Sequence, residues 1–150
     1  MFRSFKEQCR AEAVWSLLPR SVMLARSAFA LDHKDLPGIA ATFHDDARFT
    51  LEIAGVEEAS VFNSKQEIMG LMQGALEAQT DVRRHVMSNF WYKQTGENTA
   101  TVVSYLSLFA TENDLTRLIT TGIYTDTVAS ADVDGGWLIT DRLLQLDNPY

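Results

Sequence analysis

Asp32, in the run Ala30-Leu31-Asp32-His33-Lys34-Asp35, and His85, in Arg83-Arg84-His85-Val86-Met87-Ser88-Asn89, are the two residues whose types could do chemistry together. Each sits where an apolar element meets polar residues. A carboxylate that accepts from one imidazole nitrogen sets the ring's tautomer and stabilises its protonated form. The second nitrogen is then left to act as a general base near neutral pH. Each residue also has a plainer explanation. Asp32 precedes a helix-forming segment, where an aspartate commonly caps free backbone N–H groups. His85, beside arginines, suits a solvated sheet face.

Competing chemistries find little support. His33 and His44 lie in polar contexts and form no spaced ligand set with His85 or with carboxylates, so no metal site is expected. There is no glycine-rich phosphate loop, no nucleophile elbow and no cysteine beside a base, so neither covalent catalysis nor a cofactor is expected. The single cysteine, Cys9, excludes an intrachain disulfide and fits a reducing cytoplasm. A net charge of -7 repels phosphate backbones, which argues against nucleic acid as a partner. No run approaches a membrane span and no signal peptide opens the chain, so a cytoplasmic protein with no membrane association is expected.

The elements that must position the pair are legible in outline. At 150 residues, 46% hydrophobic and 22% charged, the chain reads as one domain spanning 1–150. From Gln8 to Leu31, apolar residues recur at three- and four-residue steps, which predicts helix, broken or kinked at Pro19 into a short and a longer piece. Leu36 to Phe43 can form another helix, with Pro37 in its first turn. Ala47 to Ile53 alternates like a half-buried strand, with Asp45-Asp46 as a turn before it. Ser64 and Glu67 have the spacing of a capping box ahead of a helix carrying Ile68, Leu71, Met72, Ala75 and Leu76.

Four long strands are then predicted: 82–93, 99–110, 115–128 and 137–147, separated by Gly96-Glu97-Asn98, Glu112-Asn113-Asp114 and Asp134-Gly135-Gly136. Helices first and strands afterwards imply an α+β domain with an antiparallel sheet. Strands of this length must twist and bend, so that the sheet and the N-terminal helices enclose a pocket.

Along the first of these strands, period two places Arg83, His85, Met87, Asn89 and Trp91 on one face. A histidine and an amide among apolar bulk would suit a small-molecule pocket, with Met87 and Asn89 as ligand contacts. Tyr105 and Tyr124 fall inside strands, where a buried hydroxyl needs a partner. Each could therefore orient a polar group of a ligand, with core packing as the alternative.

The order of these elements, together with Phe43-His44-Asp45-Asp46-Ala47, Arg84-His85-Val86-Met87-Ser88-Asn89, Gly122-Ile123-Tyr124-Thr125-Asp126 and Gly136-Trp137-Leu138-Ile139 followed by Arg142 and Asp147, resembles the SnoaL-like branch of the nuclear-transport-factor-2-like superfamily. The branch includes polyketide cyclases, scytalone dehydratase and hexachlorocyclohexane dehydrochlorinase. The resemblance implies a cone of curved sheet capped by helices, dimeric or of higher homo-oligomeric order, around a small hydrophobic or aromatic ligand. It also implies that His85 abstracts a proton from carbon while Asp32 orients the ring and stabilises its charge, giving a cofactor-independent lyase or isomerase. By the same comparison Phe49 lines the cavity, and Ser27 stands where the dehydrochlorinase has a lysine. Related folds also serve as small subunits of ring-hydroxylating dioxygenases, so a non-catalytic binding or accessory domain is the alternative. That alternative predicts a cavity without close contact between Asp32 and His85.

Overall fold

In the computed structural model, residues 5–131 and 136–150 are described, with side chains from residue 19 onward. The predicted turn residues Asp134 and Gly135 lie outside the described residues. The chain begins with helix α1 (Phe5–Asp32), which runs through Pro19 without interruption. The expected split into two helices is therefore not seen. A proline removes one intrahelical hydrogen bond, and the turns that follow it are held by burial of Leu24, Ala28 and Ala30.

Helix α2 is one turn shorter than expected, ending at Ala40 (Leu36–Ala40). Its cap is Asp35, whose Oδ1 accepts the Gly38 backbone N–H at 3.0 Å. Asp32 is thereby released from the capping role its position suggested. Strand β1 (Phe43–Ile53) begins earlier than expected and absorbs Asp45 and Asp46. The turn-like feature there is local: the Asp46 backbone N–H donates to His44 Nδ1 at 3.2 Å, and pairing is interrupted between Phe43 and Arg48.

A short strand β2 (Ser60–Phe62) precedes helix α3 (Lys65–Ala78). The predicted cap is present. Ser64 Oγ accepts the Glu67 N–H at 3.2 Å, and Glu67 Oε2 accepts the Asn63 N–H at 2.7 Å. Strands β3 (Val82–Thr95), β4 (Thr99–Glu112), β5 (Leu115–Ser130) and β6 (Trp137–Leu146) complete the chain, close to the predicted limits.

The six strands form one sheet in the order β2-β1-β6-β5-β4-β3. All neighbours are antiparallel except β1 and β6, which run parallel. Register shifts in the β1–β6, β3–β4, β4–β5 and β5–β6 pairings, with the extra residues in β1, β3, β5 and β6, bend the long strands, as bulges do. The architecture is the expected α+β curved sheet with helices on one side. The core lies between them, where Leu24, Ile39, Phe43, Ile68, Leu108 and Ile139 are essentially inaccessible. Among the described residues, no helix is long and apolar enough to cross a membrane.

Candidate active site

The C-terminal residue of α1 and the fourth residue of β3 meet. His85 Nδ1 lies 2.7 Å from Asp32 Oδ1, and the His85 backbone N–H donates to the same oxygen at 3.0 Å and to Oδ2 at 3.2 Å. A carboxylate only accepts hydrogen bonds, so the ring proton is assigned to Nδ1 and the lone pair of the neutral ring to Nε2. Both side chains are largely shielded, with 15% of His85 and 8% of Asp32 exposed. Shielding strengthens the contact relative to one at the surface.

His85 lines a cavity of about 130 Å³ between α3, the sheet and the end of the chain. Its apolar wall includes Phe49, Leu51, Leu71, Met72, Leu144 and Leu146. Polar groups reach it from Gln79, Arg83, Tyr124, Arg142 and Tyr150. Phe49 and Tyr124, both expected near a ligand, lie in this wall and are buried.

The other expected ligand contacts fall elsewhere. Met87 shares the inward face with His85, but it packs against the core and does not line the cavity. The period-two reading fails at the next residue. Asn89 adopts φ 55° and the β3–β4 register shifts between Ser88 and Trp91, so the strand turns over. Phe90 and Tyr92 then pack inward, while Asn89 and Trp91 are exposed. Tyr105 is on the outer face of β4, 51% exposed, because the buried set there is Val102, Ser104, Leu106 and Leu108.

Arg142 is a cavity residue that period and composition did not single out. It is opposite Asp126 in the β5–β6 register, and its Nε and Nη2 donate to the two Asp126 oxygens at 2.6 and 3.0 Å. Its Nη1 donates to Ser27 Oγ at 3.4 Å, so the position that the resemblance matched to a lysine braces an arginine instead. The guanidinium also stands 4.5 Å from the centre of the Tyr124 ring. Burial works against the Arg142 charge, but Asp126 outweighs it and holds the pKa above its ordinary value. Burial likewise pushes the Tyr124 hydroxyl up to about 12, with Arg142 pulling the other way, so Tyr124 remains a neutral donor across the physiological range. The available signal was Asp126, a charge at an inward position between Tyr124 and Val128.

The cavity therefore presents a base held by a carboxylate, a neutral phenol and a fixed guanidinium within an apolar wall. That set can remove a proton from carbon and stabilise the negative charge that develops. Among the described residues, no cluster of His, Cys, Asp or Glu is arranged to hold a metal ion.

A family profile described as a SnoaL-like domain matches residues 22–143. No curated protein sequence matches the chain. Solved structures with the same fold include a candidate scytalone dehydratase from Novosphingobium aromaticivorans, 21% identical, with a TM-score of 0.71 over 89% of this chain and 85% of that one. ActVI-ORFA from Streptomyces coelicolor is 20% identical, with a TM-score of 0.73 over 87% of this chain and 96% of that one. The beta subunit of a candidate aromatic-ring-hydroxylating dioxygenase, also from N. aromaticivorans, is 19% identical, with a TM-score of 0.77 over 92% and 93%. At these identities the likeness concerns the fold. The profile spans most of the chain, from α1 into β6, and by that match the chain belongs to the SnoaL-like domain family.

Proposed function

We propose that this protein is a cofactor-independent lyase or isomerase that abstracts a proton from carbon in a small hydrophobic cyclic molecule. The observation that carries this reading is the 2.7 Å contact between Asp32 and His85 beside an apolar cavity. In this reading His85 Nε2 takes the proton. Asp32 stabilises the imidazolium through Nδ1–H. The electron pair left on carbon moves toward a carbonyl oxygen, for isomerisation, or expels a leaving group from the adjacent carbon, for elimination. The protonated base then returns its proton to carbon or to the departing group. Tyr124 and Arg142 supply donor and positive charge for the oxygen that gains charge. A cavity of about 130 Å³ favours a single ring. It is well below the ~300–1,000 Å³ of pockets for drug-sized ligands.

The alternative of a purely accessory domain predicted no close contact between Asp32 and His85, and the geometry favours the catalytic reading. The exposed outer sheet face, with Val86, Trp91, Tyr105 and Leu118 each 45% to 61% exposed, supports association into a homodimer. Sedimentation of the wild type against Trp91→Glu tests that assignment. The catalytic reading is tested by screening single-ring ketones, alcohols and aromatic acids for elimination or for hydrogen exchange at carbon, with wild type and His85→Ala side by side.

A further inference from the structure

The arginines lining the cavity are Arg83 and Arg142, and among the described residues no side-chain carboxylate lines it. Arg142 is matched by Asp126 through two hydrogen bonds. Arg83 is matched less completely. It gives only Nε to Asp81, at 2.9 Å, keeping its terminal Nη pair outside that contact. Its guanidinium lies 5.2 Å from the Tyr150 ring, which also lines the cavity, and its side chain is 23% exposed. A planar guanidinium bound along one edge retains a fork of N–H donors suited to a second carboxylate. Arg83 and His85 are two residues apart on the inward face of β3, which separates their Cα atoms by about 6.5–7 Å.

We propose that Arg83 is a specificity-determining residue that selects a substrate bearing an anionic group, a carboxylate on the ring, bound at the cavity mouth while His85 faces the ring. The proposal rests on the catalytic reading of this cavity and narrows its substrate class from apolar rings to apolar acids. The net charge of -7 makes the surroundings unfavourable for an anion at long range. Selection therefore depends on the short-range contact with Arg83. Asp81 competes with the ligand for the same guanidinium.

The test measures binding of benzoate and of its uncharged near-isostere benzamide to the full chain by titration calorimetry. The wild type is expected to bind benzoate about tenfold or more tightly than benzamide, as a charge-assisted hydrogen bond requires. Arg83→Gln is expected to bind the two alike, and Asp81→Asn to strengthen benzoate binding while leaving benzamide unchanged. Where Arg83→Gln does not fold, the Asp81→Asn comparison decides. Equal binding of both ligands by the wild type overturns the inference and leaves the proton-transfer reading standing. A preference for benzoate that survives Arg83→Gln overturns it in the same way. Binding of neither ligand overturns this inference and the single-ring cavity reading together.

Discussion

Asp32 holds His85 by ring and backbone at once, its Oδ1 lying 2.7 Å from Nδ1 and 3.0 Å from the backbone nitrogen of the same residue. The end of α1 is thus tied to β3 at the point where the imidazole enters the cavity. In the proposed reaction the carboxylate has a chemical role beside its structural one, and the two can be separated. Asparagine can present its carbonyl at the Oδ1 position and accept both hydrogen bonds there. Its amide would then face the His85 backbone N–H that now donates to Oδ2 at 3.2 Å. Asp32→Asn is expected to fold, with a loss of roughly 1–2 kcal/mol. It should lower kcat by a hundredfold or more, because no negative charge stabilises the imidazolium. Denaturant unfolding and turnover measured on one preparation separate the two effects.

The Arg142–Asp126 pair is almost wholly buried, with 3% and 0% of the side chains exposed. Removing one partner leaves an uncompensated charge in the core. Asp126→Ala is expected to lose about 3–5 kcal/mol of stability. Replacing both, as in Asp126→Val with Arg142→Met, should cost less than the single change. Urea denaturation of Asp126→Val, Arg142→Met and the double variant, beside Asp126→Ala, provides the comparison.

At Asn89 the backbone adopts φ 55°, a left-handed conformation that asparagine and glycine accept and β-branched residues resist. Asn89→Gly should stay within about 0.5 kcal/mol of wild type, and Asn89→Val should lose roughly 1–2 kcal/mol. Equal unfolding midpoints for the two variants would remove the bulge from the account of how β3 turns over.

These residues show what the sequence carries and what it does not. The limits of β3 to β6 were readable within about two residues because Val, Thr, Ile and Tyr cluster between turn residues, whereas β1 begins four residues before its expected start. The face of a strand was readable only as far as Met87, since period two assumes a continuous ladder and the shift at Asn89 breaks it. Asp32 and His85 were visible as types in suitable places. Their contact required the pairing of α1 with β3, which local pattern cannot supply. The role of Asp35 as the cap of α2 decided what Asp32 was free to do, and both are aspartates before the same helix. Arg142 and Asp126 became a pair only through the β5–β6 register.

Tyr124 gives a pH signature. Its hydroxyl is pushed up to about 12 from an ordinary value of 10.0 by burial. Between those values the folded protein keeps a proton that the unfolded chain releases, so the contribution is complete below the unfolded pKa and is lost as pH rises through the folded one. Stability should therefore fall by roughly 3 kcal/mol across that window from this group alone. Tyr124→Phe should remove this part of the slope. Unfolding free energies of the two proteins from pH 9 to about 12 measure the difference.

The central claim is that His85 takes a proton from carbon in this cavity. Its most direct test is deuterium incorporation from solvent into a β,γ-unsaturated cyclohexenone, followed by NMR with wild type and His85→Ala at equal concentration. The account predicts protein-dependent incorporation with the wild type and a loss of about a hundred- to ten-thousandfold in His85→Ala, with the ketone still bound. Incorporation at the wild-type rate in His85→Ala would contradict it.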